Sequence, residues 1–381
     1  MIRFFDMFSG IGGFRTGLER AGGYECIGHC EIDKYADTAY RSIHNIKESE
    51  VFYEDATTID TKTLPEFELL CAGFPCQSFS IAGKRRGFSD PRGNLFFEVA
   101  GVARAKRPAY LLLENVPGLL SHDKGRTFVA ILNTLCDLGY SVEWQVLNSK
   151  DFGVPQSRRR VYIIGYLNRG CAGKILPVKE TNAAALIPLV SGRQDDSQGP
   201  AKTLSATSGG FGGKTGLYSI DLSNSNSEIT NNSRCLTARY SRGISNRKAE
   251  SSGVLLIKES TNLGCKEAAP GYSIDLSFPG LNTRRGRVDK NIAHTLNTGS
   301  SQGVVTTTGR IRKLMPRECF RLQGFTDEQI DKLLAVSSDT QAYKQASNAV
   351  TANVVHALGL RLKSAHTASP AVTCAGVRDA S

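Results

Sequence analysis

The chain has 381 residues, 40% of them hydrophobic, with a formal net charge of +11 and a pI near 9.2. That length suits one large domain plus a smaller one, and the excess of base points to a polyanionic partner. No apolar run reaches the roughly 18 residues of a membrane span, Met1 to Phe14 lacks the basic-then-apolar order of a secretion leader, and ten scattered cysteines read as the reduced thiols of a cytoplasmic protein, not as disulfides or a metal site.

Ile2, Phe4 and Phe5 begin an apolar strand that runs into Asp6-Met7-Phe8-Ser9-Gly10-Ile11-Gly12-Gly13-Phe14, after which Leu18 and Ala21 take helical spacing. Strand, glycine turn and helix in that order let backbone approach a nucleotide-like ligand at a helix N-terminus. A second apolar strand, Tyr24 to Cys30, ends at Glu31, where a carboxylate can accept from ribose hydroxyls. The two features together favour an adenosine-containing cofactor. Asp55, after a third short segment, is a candidate for the adenine amino group, its plainer reading being a surface carboxylate.

Phe67 to Ala72 reads as a buried strand that Gly73-Phe74-Pro75-Cys76-Gln77 terminates. Pro75 stiffens the turn and Cys76 is aimed outward, which suits a nucleophile better than a core thiol. Ala109 to Leu113 is a further apolar strand, and it delivers Glu114-Asn115-Val116 to its end, the edge at which open parallel sheets bind ligands. Gln156-Ser157-Arg158-Arg159-Arg160 precedes the apolar run Val161 to Gly165; a guanidinium there can grip a carboxylate or phosphate in fork geometry. Alternating strand and helix patterns with short connections predict a mostly parallel sheet covered on both faces.

The pattern changes at about Gly170. Between 201 and 312 Gly, Ser, Asn and Thr dominate, and 15 Lys and Arg face 7 Asp and Glu, which accounts for most of the net charge. Leu204, Phe211, Tyr218, Leu236, Tyr240 and Leu296 recur often enough to predict small strands and loops and not a linker. Tyr218-Ser219-Ile220-Asp221-Leu222-Ser223 returns 54 residues later as Tyr272-Ser273-Ile274-Asp275-Leu276-Ser277, amid Thr203-Leu204, Leu236-Thr237 and Thr295-Leu296 segments. A helical pattern through Leu358 should then bring the chain back to its first domain. The Ala, Ser and Thr rich tail from about Ser364 is expected to be disordered.

The motifs taken together, and in this order, resemble the DNA (cytosine carbon-5) methyltransferases. The resemblance runs from Asp6-Met7-Phe8-Ser9-Gly10-Ile11-Gly12-Gly13 through Gly73-Phe74-Pro75-Cys76-Gln77, Asp90-Pro91-Arg92-Gly93-Asn94-Leu95-Phe96, Glu114-Asn115-Val116 and Gln156 to Arg160. It resumes at Arg312 to Cys319 and at Gln341 to Val350. Two departures stand out: Ile32 replaces an aromatic beside the ribose-binding Glu, and Ser347-Asn348-Ala349 stands where the family usually has Gly-Asn-Ser.

This resemblance implies an α/β fold with a Rossmann-like S-adenosylmethionine-dependent methyltransferase domain, a mostly parallel sheet with helices on both faces. A smaller, irregular β-rich target-recognition domain would accompany it. Residues 1–170 and 346–364 would form the catalytic and cofactor domain, 171–345 the recognition domain with an internal duplication, and 365–381 the tail. Cys76 would be the thiolate that adds to carbon 6 of cytosine, Glu114 would hold the base, and Arg158 and Arg160 would supply positive charge. S-adenosylmethionine would contact Phe8, Ser9, Gly10, Ile11 and Gly12. It would also meet Glu31, Ile32 and Asp55, together with Pro75, Leu95 and Asn348.

A stacked base is out of reach, so the cytosine must be flipped from the duplex. The loop Ser78 to Arg86, with Ser80 and Arg85, would close over it on hinges at Gly83 and Gly87. Arg239, Arg242, Arg284, Arg285 and Arg287 are candidates for guanine edges or phosphates. The expected partner is double-stranded DNA, the expected state a monomer near the nucleoid, and a cognate restriction endonuclease a candidate associate. The alternative substrate is transfer RNA, which a related branch methylates; the long basic region argues for DNA. The repeat raises two readings: more than one recognition module, hence more than one target sequence, or a single elaborated module containing a decayed duplication.

Overall fold

A computed structural model describes residues 1–75, 95–167, 173–178, 218–220, 255–260, 265–277, 285–298, 301–306 and 311–368. They fall into two compact units: Met1–Phe152 with Arg159–Asn182 and Ala349–Ser381, and Gly153–Arg158 with Ala183–Asn348.

In the first unit β1 (Ile2–Met7), β2 (Tyr24–Cys30), β3 (Val51–Tyr53), β4 (Leu69–Gly73) and β5 (Tyr110–Asn115) run parallel. The antiparallel pair β6 (Ser141–Asn148) and β7 (Arg159–Tyr166) extends the sheet from β5, giving the order β3-β2-β1-β4-β5-β7-β6. Both faces are buried, and the pleat sorts alternate residues between them. Phe4, Leu69, Cys71 and Leu112 pack on the face covered by α1 (Gly13–Ala21) and by the helix of Ala352–Ala368. Phe5, Leu70, Ala72, Leu111 and Leu113 pack on the other, under α3 (Leu95–Lys106) and α4 (Arg126–Asp137). Each fully buried Phe or Leu contributes about 1.5–3 kcal/mol. Between β2 and β3 lies α2 (Lys34–Ile43), whose N-terminus is capped by the Asp33 carboxylate.

The last helix sits hard against α1: a Cβ on Gly17 would stand 2.5 Å from that of Val355, so glycine is what admits the close approach. Tyr24 fixes the same helix by donating its hydroxyl to the Gly359 carbonyl at 2.7 Å. The helix continues to Ala368 with Ala365 buried, so the tail expected to be disordered from 365 is ordered for four residues more. Packing of small residues against the sheet outweighs a composition that reads as coil.

The second unit holds two small antiparallel sheets. One is ordered β10-β9-β8, with β8 (Tyr218–Ile220), β9 (Leu255–Lys258) and β10 (Cys265–Ala268). The other is ordered β12-β11-β13-β14, with β11 (Ser273–Asp275), β12 (Val288–Asp289), β13 (Gln302–Val305) and β14 (Ile311–Lys313). Ile257, Ala268, Ile274, Leu276, Val288, Val305 and Ile311 make its core. Three helices follow, α5 (Pro316–Arg321), α6 (Asp327–Val336) and α7 (Asp339–Asn348), and the helix Ala352–Ala368 is α8. Arg312 and Glu318 pair bidentately at 2.7 and 2.6 Å where β14 turns into α5, and Glu318 also accepts from the Met315 N–H at 2.8 Å.

Candidate active site

Three strand ends of the first unit converge on the C-terminal edge of its parallel sheet. After β1 the chain turns sharply: Phe8, Gly10 and Gly12 have φ of 55°, 56° and 80°, and Gly12 opens α1. The turn is tied down by its own backbone. Ser9 N–H donates to Cys30 O at 3.1 Å, and Gly12 N–H to Ser9 O at 2.8 Å.

Glu31, just past the end of β2, accepts from Gly10 N–H through one oxygen and from Asp33 N–H through the other, both at 2.8 Å. Burial pushes this carboxyl above its ordinary value, and the two N–H donors oppose the shift. Each oxygen keeps a lone pair, so the group sequence reasoning assigned to ribose is locked in place and can still accept from a hydroxyl. Ile32 beside it is 67% exposed, a bare apolar surface at the mouth of the turn. Asp55 accepts from Thr57 N–H at 2.9 Å and so caps the short turn Ala56–Thr58, which fixes its orientation.

Two buried groups at the turn have no hydrogen-bond partner among the described residues. One is the Ser9 hydroxyl; the other is the Asp6 carboxyl, fully buried, with both oxygens unmatched. Burial, opposed by Arg15, raises the Asp6 carboxyl above its ordinary value. Orphaned polar atoms beside a left-handed glycine turn fit a polar ligand with hydroxyl and amino groups.

At the second strand end, Asn115 donates from Nδ2 to Phe74 O at 2.7 Å and Phe74 itself is buried. The backbone is thereby pinned two residues before Cys76. Sequence reasoning quoted Asn115 within its motif and gave it no task. The third strand end carries Glu114, which is opposite Gly73 in register and 3.0 Å from Arg160 Nε, with side chains 11% and 14% exposed.

Of the remaining candidates, Leu95 is half-buried at the start of α3, Pro75 is exposed, and Asn348 is exposed at the end of α7. Arg158 lies in the second unit and is buried. Arg285 is exposed, as a DNA-contacting side chain must be. Arg287 overturns its expectation: it is 1% exposed and donates to the carbonyls of Asp275 and Ser277 at 3.2 and 2.8 Å, so it braces the sheet from inside. Cys76, Ser80, Arg85, Arg239, Arg242 and Arg284 lie outside the described residues.

The sheet order, the helices on both faces and the glycine turn define a Rossmann-like methyltransferase domain. The profile of the C-5 cytosine-specific DNA methylase family matches residues 2–364. Type II methyltransferase M.HpaII of Haemophilus parainfluenzae is 36% identical over 365 residues, covering 94% of this chain and 88% of the relative. Orphan methyltransferase M.SPRI of Bacillus phage SPR is 32% identical over 432 residues, covering 94% and 96%. The S. pombe Dnmt2 methyltransferase structure shares the fold at a TM-score of 0.57 and 18% identity, covering 96% of this chain and 99% of that one. The chain belongs to the C-5 cytosine-specific DNA methylases, enzymes of the DNA (cytosine-5-)-methyltransferase class.

Proposed function

We propose that this chain methylates carbon 5 of a cytosine flipped out of duplex DNA, within short specific sequences, through a covalent adduct on Cys76. What supports the reading most is the Glu114 and Arg160 pair, at the same sheet edge as the Asn115-pinned strand end that leads into Cys76. The Cys76 thiolate adds to carbon 6 of the ring and carbon 5 becomes nucleophilic. S-adenosylmethionine, held by the turn Phe8 to Gly12 and by Glu31, supplies the methyl group. Glu114 holds the ring nitrogen and exocyclic amine, while Arg160 orients Glu114 and supplies positive charge, for which Arg158 is the second candidate. Loss of the carbon 5 proton and elimination of Cys76 release the product. Residues 1–170 and 346–364 carry this chemistry and 171–345 read the DNA, with Arg239, Arg242, Arg284 and Arg285 on phosphates or base edges. A monomer suffices, one base being flipped per turnover.

A second layer concerns how many sequences are read. Both copies of the Tyr-Ser-Ile-Asp repeat are strands, β8 and β11, and each pairs antiparallel with a later strand preceded by or containing Gly-Val: Ser219 opposite Leu256, Ser273 opposite Val304. The two pairings differ by two residues in register against Gly-Val; what supports two recognition modules serving one catalytic domain is that the repeated Ser-Ile is strand in both copies.

The test is to incubate the protein with unmethylated plasmid and S-adenosylmethionine and to map 5-methylcytosine by bisulfite sequencing, with Cys76→Ser in parallel. Methylation of one or more short motifs, lost in Cys76→Ser, is expected. Methylation of RNA and of no duplex would sink the DNA reading. A single motif, with all activity lost on deleting 201–245, would sink the two-module layer alone.

A further inference from the structure

Behind the glycine turn lies a histidine to which no motif called attention. His44 follows the last turn of α2, where its N–H donates to Tyr40 O at 3.0 Å. Its side chain is 1% exposed and packs on the Tyr40 ring at 4.6 Å. Nε2 stands 3.4 Å from the Ile11 carbonyl, in the middle of the turn, and Nδ1 3.8 Å from Glu19 Oε2 on α1. A Cβ on Gly12 would fall on this ring, so imidazole and glycine are fitted to each other.

The ring is held in turn by its surroundings. Arg15 of α1 binds Glu50 at 2.6 and 3.0 Å and the Asn45 carbonyl at 3.2 Å, which ties the segment just after His44 back to α1. Burial lowers the affinity of His44 for a second proton, and the Ile11 carbonyl, which can only accept, is the nearer of the two acceptors facing the ring, so it calls for the proton on Nε2. An apolar side chain would fill the same space without donating to that carbonyl.

We infer that His44 is a positioning residue for the cofactor turn: its Nε2–H holds the Ile11 carbonyl and its ring fills the space behind Gly12, so that the Ser9 to Gly12 backbone is set for the ligand before the ligand arrives. The inference rests on the reading of that turn as the S-adenosylmethionine site. His44 touches neither base nor reacting carbon, and its effect is confined to cofactor affinity.

Calorimetric titration of the full chain with S-adenosylhomocysteine tests this in wild type, His44→Ala and His44→Gln, alongside binding of an unmethylated duplex by fluorescence anisotropy. His44→Ala is expected to weaken S-adenosylhomocysteine about tenfold while duplex binding changes less than twofold. His44→Gln, whose amide can donate in place of Nε2, is expected to recover most of the loss. Unchanged ligand affinity in His44→Ala, or parallel loss of ligand and duplex binding in both variants, would overturn the role. Absence of ligand binding in wild type would overturn the cofactor reading together with it, which separates the two failures.

Discussion

Arg160 Nε stands 3.0 Å from Glu114 Oε1, an ion pair made across the antiparallel neighbours β5 and β7 at the edge of the sheet where Gly73 ends β4. In the proposed mechanism Glu114, paired in this way, would accept from the cytosine amine, and donation to the ring nitrogen would require that a proton arrive with the base. Glu114→Gln keeps the shape and removes the charge, and single-turnover methylation is expected to slow by about 10²–10⁴-fold. Arg160→Ala leaves Glu114 mostly buried without its guanidinium and should cost about 3 kcal/mol in urea unfolding. A Glu114→Gln protein with wild-type turnover would remove Glu114 from the chemistry.

Gly12→Ala attacks the turn from two sides. At φ 80° an L side chain costs about 1–2 kcal/mol, and the new methyl meets the His44 and Tyr40 rings. The expected result is loss of measurable S-adenosylhomocysteine binding with far-UV circular dichroism retained. Adding His44→Ala to Gly12→Ala clears only part of the obstruction, so partial recovery at most is expected in the same titration.

Both pH limbs of stability have identifiable sources. His29 and His44 are held below the ordinary imidazole value, chiefly by burial, so the folded chain declines protons that the unfolded chain takes up. Their contribution is present above about pH 6.5 and is lost as pH falls through the lower folded values. Asp6 acts in the opposite sense. Burial raises its carboxyl, the folded chain keeps a proton the unfolded chain releases, and its contribution is full below 3.8 and lost as pH rises through the folded value. Urea denaturation from pH 5 to 9 should show the alkaline decline flattened in Asp6→Asn; an identical slope in the variant would mean Asp6 is already ionised in the fold.

Arg285 and Arg287, two residues apart, are expected to fail differently. Arg287→Ala strands two carbonyls in the small sheet and should destabilise by about 3 kcal/mol. Arg285→Ala should leave stability alone, weaken duplex binding and lower the slope of log affinity against log salt by about 1. Equal effects of the two on the salt slope would contradict the assignment.

Much of the first unit was legible because apolar runs bounded by Gly or Pro map directly onto strands. Tyr24 to Cys30 is β2 to the residue, and Glu31 and Glu114 stand at strand ends as their positions implied. What the pattern withheld depends on contacts distant in sequence. A basic run gives no sign that Arg287 turns inward, because the carbonyls it serves exist only once β11 is folded. His44 follows an amphipathic helix and matches no motif; its meaning comes from the glycine turn about thirty residues earlier. The Ala and Ser content near 365 resembles coil until Ala365 finds the sheet-side core.

The seating of α8 on α1 also bears on synthesis. A Cβ on Gly13 would stand 2.3 Å from Val350 O, so the helix that begins at the glycine turn is finished off by residues made more than 300 positions later. At about 5–20 residues per second, a ribosome needs roughly 15–70 s to travel that stretch. For that interval Gly13 and Gly17 of α1 lack the residues that pack on them in the folded chain. A chain ended before Val350 lacks the residues that pack on Gly13 and Gly17, so loss of methylation is the expected outcome for such a truncation even with the earlier motifs intact.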